Sequence, residues 1–328
     1  YRLHPEFLIT AEDGLAVGGG VSTPNAEGLL IRGRLSVLFG AIQQTHIAIA
    51  APRVGRRYGD FGLVYFNRQR RNTLFDFFEV ANEVFVTAAP RIAPSLAAGV
   101  RLGYQRMRAD AVGPTLSADR VDDVNTVGGL IALDTRDNPL LTRRGWQSEL
   151  LAERTGLLGG DTRFWRITAD ARRWQPLGRG HGLAFFGLAT WTSGDVGEEI
   201  APWQTFRVGG ASTVRGWPVG ARAGADQAIA TAEYRWTVRA PRALDLPWLA
   251  PLEIGAQAVA FVDAGLAWNG PADARLDRVI TGHGAGLHLI APSFGRLRLD
   301  IAWGGADPAL LLLFGSGEKA DGQRRRVR

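Results

Sequence analysis

The segment Gln227–Arg239, with the sequence QAIATAEYRWTVR, sets apolar residues at every second position against polar ones. The apolar positions are Ala228, Ala230, Ala232, Tyr234, Trp236 and Val238, and the polar ones are Thr231, Glu233, Arg235 and Thr237. Successive side chains of a β-strand point to opposite faces, so this pattern predicts a strand with one apolar and one charged face.

The same alternation recurs along the chain, for example in Ile31–Phe39, Leu96–Tyr104 and Gly295–Trp303. A soluble β-sandwich would alternate in the same way, so the period alone does not choose between the two folds. The segments are nevertheless about ten residues long, which suits a tilted strand crossing a bilayer better than the soluble strand of about five or six. Several apolar faces also end in an aromatic residue, such as Trp236 or Trp303, where a membrane barrel has its aromatic girdle.

Sixteen strands are predicted on this basis. They are Phe7–Thr10, Val17–Val21, Ile31–Phe39, Thr45–Pro52, Phe61–Arg68, Phe75–Thr87, Ser95–Arg106, Val127–Leu133, Trp146–Arg154, Arg163–Trp174, Leu183–Thr192, Ile229–Val238, Leu252–Val262, Gly284–Ile290, Leu297–Trp303 and Leu310–Phe314. An even number fits a single-chain bacterial barrel. We therefore predict an all-β fold, a transmembrane antiparallel up-and-down β-barrel of about 16 strands over residues 1–314. Residues 315–328 are predicted to be a polar, disordered tail.

Composition agrees with this prediction and excludes other classes. Hydrophobic residues make up 46% of the chain, and no run of eighteen or more apolar residues predicts a membrane-spanning helix. Glycine is abundant at 42 residues, tryptophan is high at 10, and cysteine is absent. The net charge is +6, but the arginines are spread at strand spacing rather than gathered in one patch, so nucleic acid is not a predicted partner.

The stretch Ser193–Asp226 is too long for a hairpin turn and is therefore a candidate functional loop. It contains the sequence FRVGGASTVRGW over Phe206–Trp217, whose motif residues are Gly209, Gly210, Val214, Arg215, Gly216 and Trp217. This motif resembles the GG…(V/I)RG(Y/F/W) signature of the outer-membrane protein 85 superfamily, the barrels of the BamA/TamA type and the bacterial surface antigens. The resemblance implies that the loop folds into the barrel lumen and that Arg215 meets acidic residues of the inner wall.

By the same resemblance, the acidic wall partners of Arg215 are Glu233, in the sequence AEYR, and Asp263, in FVDAG. The alternation independently places both carboxylates on the polar faces of their strands, where a guanidinium can form charge-assisted hydrogen bonds with them. Other inward carboxylates, among them Asp300 next to Arg298, are interpreted as part of a mutually neutralising, hydrated lumen wall.

A second match is the sequence DTRDNP, followed by RGW at Arg144-Gly145-Trp146. It resembles a turn of the same family that is expected on the periplasmic side. The motif residues are Asp134, Arg136, Asp137, Asn138, Pro139 and Gly145. Asp and Asn side chains cap turns and proline blocks ladder pairing, so a purely structural turn is the preferred interpretation. The family also ends on an aromatic residue of the last strand, here Phe314, which follows Leu310 and Leu312 on the predicted terminal strand.

The resemblance implies a barrel of the bacterial outer membrane that inserts, assembles or translocates proteins. Its expected partners are outer-membrane lipid, lipopolysaccharide and unfolded outer-membrane proteins or periplasmic factors. Two alternatives stay open: a passive channel or surface-antigen barrel without polypeptide-transport-associated (POTRA) domains, and the membrane anchor of a hydrolase. No catalytic residue, metal site or cofactor is predicted, because the five histidines lack metal-ligand spacing and no nucleophile motif is found.

Overall fold

The structure is a computed structural model. It describes residues 2–10, 14–26, 31–54, 57–72, 76–138, 141–244, 252–291, 295–305 and 308–315. Over these ranges the chain forms strands, turns and three short 3-10 helices, at Pro202–Gln204, Pro271–Asp273 and Leu276–Arg278. None of the helices in the described part of the chain has the length and apolar character needed to cross a membrane.

Sixteen strands form one antiparallel sheet in which every strand pairs with its neighbour in sequence. A separate hairpin, made of β12 and β13, lies in the connection between β11 and β14. The strands are β1 Arg2–Thr10, β2 Gly14–Ala26, β3 Ile31–Gly40, β4 Ile42–Val54, β5 Arg57–Asn72, β6 Phe77–Ala93, β7 Leu96–Ala109, β8 Val121–Asp134, β9 Gly145–Gly160, β10 Trp165–Gly178, β11 His181–Thr192, β12 Phe206–Val208, β13 Arg222–Gly224, β14 Asp226–Leu244, β15 Leu252–Trp268, β16 Ile280–Ala291, β17 Gly295–Trp303 and β18 Ala309–Gly315.

The prediction of sixteen antiparallel strands is confirmed. Most strands extend beyond their predicted ends, as β14 does over Asp226–Leu244, because ladder hydrogen bonds continue past the apolar stretch that marks the strand in sequence. The structure corrects two predicted starts: Ser95 lies in the turn before β7, and Arg163 precedes β10. The predicted start at Phe75 and the tail from 316 onward lie outside the described residues. Gly315, assigned to that tail, belongs to β18.

Burial in this sheet is inverted relative to a soluble protein. On β17, Leu299 and Ile301 are 44% and 45% exposed, whereas Asp300 between them is 0% exposed. On β14, Tyr234 and Trp236 are exposed while Glu233 is buried. A water-soluble sandwich would bury the apolar face, so an outward apolar face over a charged interior is the arrangement of a membrane barrel.

The two terminal strands, β1 and β18, lie side by side. Each is paired only with the strand next to it in sequence, and no registered ladder joins the two within the described residues. This junction is called the seam below. β18 has only seven residues and β1 nine, compared with nineteen in β14. Among the described residues, the seam is therefore the one junction between neighbouring wall strands that has no registered ladder.

Candidate functional site

The connection between β11 and β14 is the lumen loop, residues 193–225. No strand was predicted in this loop, but it contains its own antiparallel hairpin with the pairs Phe206↔Gly224 and Val208↔Arg222. Its apolar residues Val208 and Val214 pack with Ala267 and Ile280 of the wall in a fully buried cluster. The loop therefore shares a packed core with the inner wall. The only sequence pattern that indicated this hairpin was the alternation of Phe206 and Val208 around Arg207, which is just three residues long.

The glycines of the motif allow the loop to turn and to approach the wall. Gly209 and Gly210 have φ values of 121° and 86°, which favour glycine. The Gly210 amide donates a hydrogen bond to the Trp217 carbonyl at 2.9 Å, which closes the turn. A side chain at Gly216 would meet the wall backbone, since its Cβ would lie 2.6 Å from the carbonyl carbon of Trp303. Gly282 of β16 allows the same close approach from the wall side, because a Cβ there would overlap the carbonyl oxygen of Arg215.

Arg215 is completely buried, with 0% of its surface exposed, and it is bound by three carboxylates. The Nε atom donates to Asp263 Oδ2 at 2.8 Å, and Nη2 donates to Asp263 Oδ1 at 3.1 Å. Nη2 also donates to Glu233 Oε1 at 3.0 Å, and Nη1 donates to Asp300 Oδ2 at 2.9 Å. The structure thus brings Arg215 to both acids named from the sequence and adds Asp300, which sequence reasoning had assigned to a general hydrated wall.

Further contacts fix this cluster in place. The Arg215 guanidinium carbon lies 3.3 Å from the centroid of the Phe261 ring, a cation–π contact. Its backbone amide donates to Asp263 Oδ2 at 3.1 Å. Trp217, the last residue of the motif, donates from Nε1 to the Thr281 carbonyl at 2.7 Å. Both the side chain and the backbone of the motif are therefore attached to the inner wall.

The acids around Arg215 have additional partners. Glu233 Oε2 accepts two hydrogen bonds from Arg235, at 3.0 and 2.7 Å. Asp300 Oδ1 lies 3.0 Å from His288 Nε2. Desolvation by burial would lower the pKa of Arg215, but Glu233, Asp263 and Asp300 raise it above the ordinary arginine value. Arg215 is therefore a permanent cation inside a ring of carboxylates.

The lumen loop is also attached to a distant part of the wall. Trp203 donates from Nε1 to Asp122 Oδ2 at 2.9 Å, and Asp122 belongs to β8. Arg166 of β10 donates from Nη2 to the Gln204 carbonyl at 3.4 Å and stacks on Phe206 at 4.9 Å from the ring centroid. The loop therefore bridges the lumen from β8 to β17. Sequence reasoning missed this second attachment, because nothing local links residues 81 positions apart.

The turn motif lies between β8 and β9, at the end of the barrel opposite the lumen loop. Asp134 accepts hydrogen bonds from the Arg136 side chain at 2.9 and 2.7 Å. Asp137 Oδ1 accepts from the amides of Asn138, Arg143 and Arg144 at 2.9, 3.0 and 3.2 Å.

Desolvation raises the pKa of Asp137, but these backbone hydrogen bonds outweigh it and lower the pKa below its ordinary value. Gly145 has a φ of 116° and begins β9. Pro139 lies outside the described residues. The motif acts as a structural turn.

Of the terminal-strand residues, Leu310 is exposed on the outer face. The backbone of Leu312 pairs with Leu299, and that of Phe314 pairs with Leu297, so β18 is in register with β17.

Three carboxylates elsewhere, those of Asp195, Glu198 and Glu199, lie within 4.8 Å of one another in the lumen loop. Two of these residues are exposed, and Glu199 Oε2 accepts the Asp195 amide at 2.9 Å, so this group is an ordinary loop turn.

The sheet and the buried loop arginine define the class: a 16-stranded barrel with an outward apolar face and a long loop fixed inside its lumen. The Omp85 superfamily domain matches residues 64–317, more than half of the chain. The chain belongs to the Omp85 superfamily, as its sequence motifs predicted.

Among solved structures, BamA from Haemophilus ducreyi lacking POTRA domains 1–3 is similar, with a TM-score of 0.71 and 15% identity over 95% of this chain. CdiB from Acinetobacter baumannii has a TM-score of 0.61 at 15% identity over 95% of this chain, and CdiB from Escherichia coli has 0.60 at 14% over 96%. The match covers 69% of the BamA chain but only 57% and 61% of the two CdiB chains. No curated protein matches the chain.

Proposed function

We propose that this chain is a bacterial outer-membrane barrel that helps proteins to insert into, or cross, the outer membrane. The observation that carries the proposal is the seam between β1 and β18, where neighbouring strands share no registered ladder in the described residues. Unpaired backbone groups at a strand edge can pair with another strand, and this is how an incoming β-strand would be templated.

The lumen loop supports this proposal through its position. Asp300, one of the acids that bind Arg215, lies on β17, which is the neighbour of terminal strand β18. Across the lumen the loop is held at β8 by Trp203. The loop would therefore brace the wall on the seam side while β1 and β18 separate. The work is mechanical and needs no covalent chemistry, so the chain would not be an enzyme.

The partners follow from this role. Unfolded outer-membrane proteins would be the clients, and periplasmic factors would deliver them. The outward apolar face would be in contact with outer-membrane lipid and lipopolysaccharide. The similar structures BamA and CdiB, at identities of 14–15%, support the fold alone.

The experiment is to lock the seam. The chain has no cysteine, so two introduced cysteines, one in β1 and one in β18, give the only possible disulfide. The matched control joins β8 and β9 through Leu130→Cys and Leu151→Cys, which face each other in a continuous ladder. Both variants are reconstituted in liposomes, and the folding rate of an unfolded outer-membrane protein is measured before and after reduction.

We expect the seam disulfide to abolish the acceleration of client folding and reduction to restore it, whereas the control disulfide leaves the rate unchanged. Client folding that continues at the unlocked rate through a locked seam would contradict the mechanism. Solute leakage without any acceleration of client folding would indicate a passive channel instead.

A further inference from the structure

The outer face of β9 and β10 carries two arginine–tryptophan pairs that the proposed function does not use. Arg173 of β10 faces Trp146 of β9 in the ladder, and Arg154 of β9 faces Trp165 of β10. The Arg173 guanidinium carbon lies 5.2 Å from the centroid of the Trp146 ring, and that of Arg154 lies 5.8 Å from the Trp165 ring. Both tryptophans are exposed, so both pairs lie on the outside of the barrel.

The spacing of the two pairs matches a membrane. Trp165 and Arg173 are eight residues apart on β10, which is about 26 Å of extended strand. With the usual barrel tilt this is roughly 20 Å along the membrane normal, close to the apolar band of about 25 Å. The outward residues between them on β10 are Ile167, Ala169 and Ala171. Each pair is therefore placed at one boundary between the apolar band and the headgroups.

Arg173 lacks the kind of partner that the inward arginines have. Its Nη2 donates to Gln175 Oε1 at 2.6 Å, an uncharged acceptor, and none of the ion pairs among the described residues includes Arg173. Outward Arg106, by contrast, lies 3.9 Å from Asp123. A cation at the edge of lipid is costly unless an anion neutralises it. Because the Trp146 ring covers one face of the guanidinium, the N–H groups at its edge can still form hydrogen bonds to a phosphate.

We propose that Arg173, Trp146 and Gln175 form a binding site for the phosphate of an anionic phospholipid in the membrane leaflet nearest the turn between β8 and β9. The arginine supplies the charge, the tryptophan orients the guanidinium at the interface, and Gln175 supplies an amide to the headgroup. This inference rests on the membrane location in the proposed function. β9 and β10 are the ninth and tenth strands of sixteen, so the site lies across the barrel from the seam.

The test counts lipids bound to the purified full chain in detergent. Phosphatidylglycerol is added, and the number of molecules retained by the folded protein is read by native mass spectrometry for wild type, R173Q and the control R106Q. We expect R173Q to bind the lipid about tenfold more weakly at one site, the scale of a lost charge-assisted bond. R106Q should bind like wild type, because Arg106 already has a carboxylate partner.

The source of the phosphate is tested with inorganic phosphate as competitor. The proposal requires that millimolar inorganic phosphate does not displace phosphatidylglycerol; full displacement would show a general anion site and overturn it. Equal lipid retention by wild type and R173Q would also overturn it.

Should R173Q fail to migrate as a folded barrel, W146F supplies the same comparison, with a smaller loss expected. Client folding by R173Q should equal that of wild type, so a failure of this site and a failure of the seam mechanism are distinguishable.

Discussion

Arg215 and Arg173 each place a guanidinium group against the barrel wall, Arg215 at its inner face and Arg173 at its outer face. Arg215 belongs to the lumen loop and lies against the inner face, where it is completely buried and bound by Asp263, Glu233 and Asp300. Arg173 points outward, lies over Trp146 and donates to the uncharged Gln175, and it takes part in no ion pair among the described residues. The inner face must neutralise its charges with its own residues, because protein surrounds them. In the proposed lipid site, the outer face would take its counter-charge from a phospholipid.

The largest effect is expected from breaking the inner arrangement. R215A leaves three buried carboxylates without their shared cation, and breaking a buried ion pair by removing one partner costs about 3–5 kcal/mol. We expect a loss of that size in the free energy of unfolding, measured by urea titration in detergent with heat-modifiable gel migration as the assay of folding. R215K, which keeps the charge but not the planar fork, should lose less. A free energy of unfolding unchanged in R215A would contradict the role of this cluster.

A smaller effect is expected from the acid that sequence reasoning did not assign to Arg215. D300N keeps the shape of the side chain but removes one charge-assisted bond to Arg215 and weakens the contact with His288. We expect a loss of about 1.5–3 kcal/mol, the range for hydrogen bonds to charged groups. The double variant R215A/D300N should lose less than the sum of the two single variants. Strict additivity would mean that Asp300 stabilises the wall without acting through Arg215.

The smallest effect is expected at Asp137, a carboxylate exposed to water. Its pKa is lowered in the folded turn, so its stabilising contribution is complete above the unfolded value of about 3.9 and is lost as the pH falls through the lower folded value. The amides of Arg143 and Arg144, which donate to Asp137, should shift in NMR spectra through that same acid range. In D137N this titration should disappear while the barrel stays folded. A titration midpoint above 3.9 would reverse the predicted sign.

Much of the fold could be predicted because each strand carries its own pattern. The alternation in Gln227–Arg239 predicted both β14 and the inward direction of Glu233. The loop hairpin at Phe206–Val208 was missed because three residues are too few to show a period. The resemblance of the motif to a family signature, rather than any local rule, was what directed Arg215 toward Glu233 and Asp263.

The sequence by itself determined which side chains face the outside of the barrel and which face the lumen, because the period of two is a local property of an extended chain. It also determined the turns of the loop, where Gly209 and Gly210 permit positive φ values. Only the tertiary structure decided that Asp300 joins Arg215 and that Trp203 reaches Asp122, 81 positions away. Those contacts depend on the order and register of the strands around the barrel wall, and no stretch of sequence contains that information on its own.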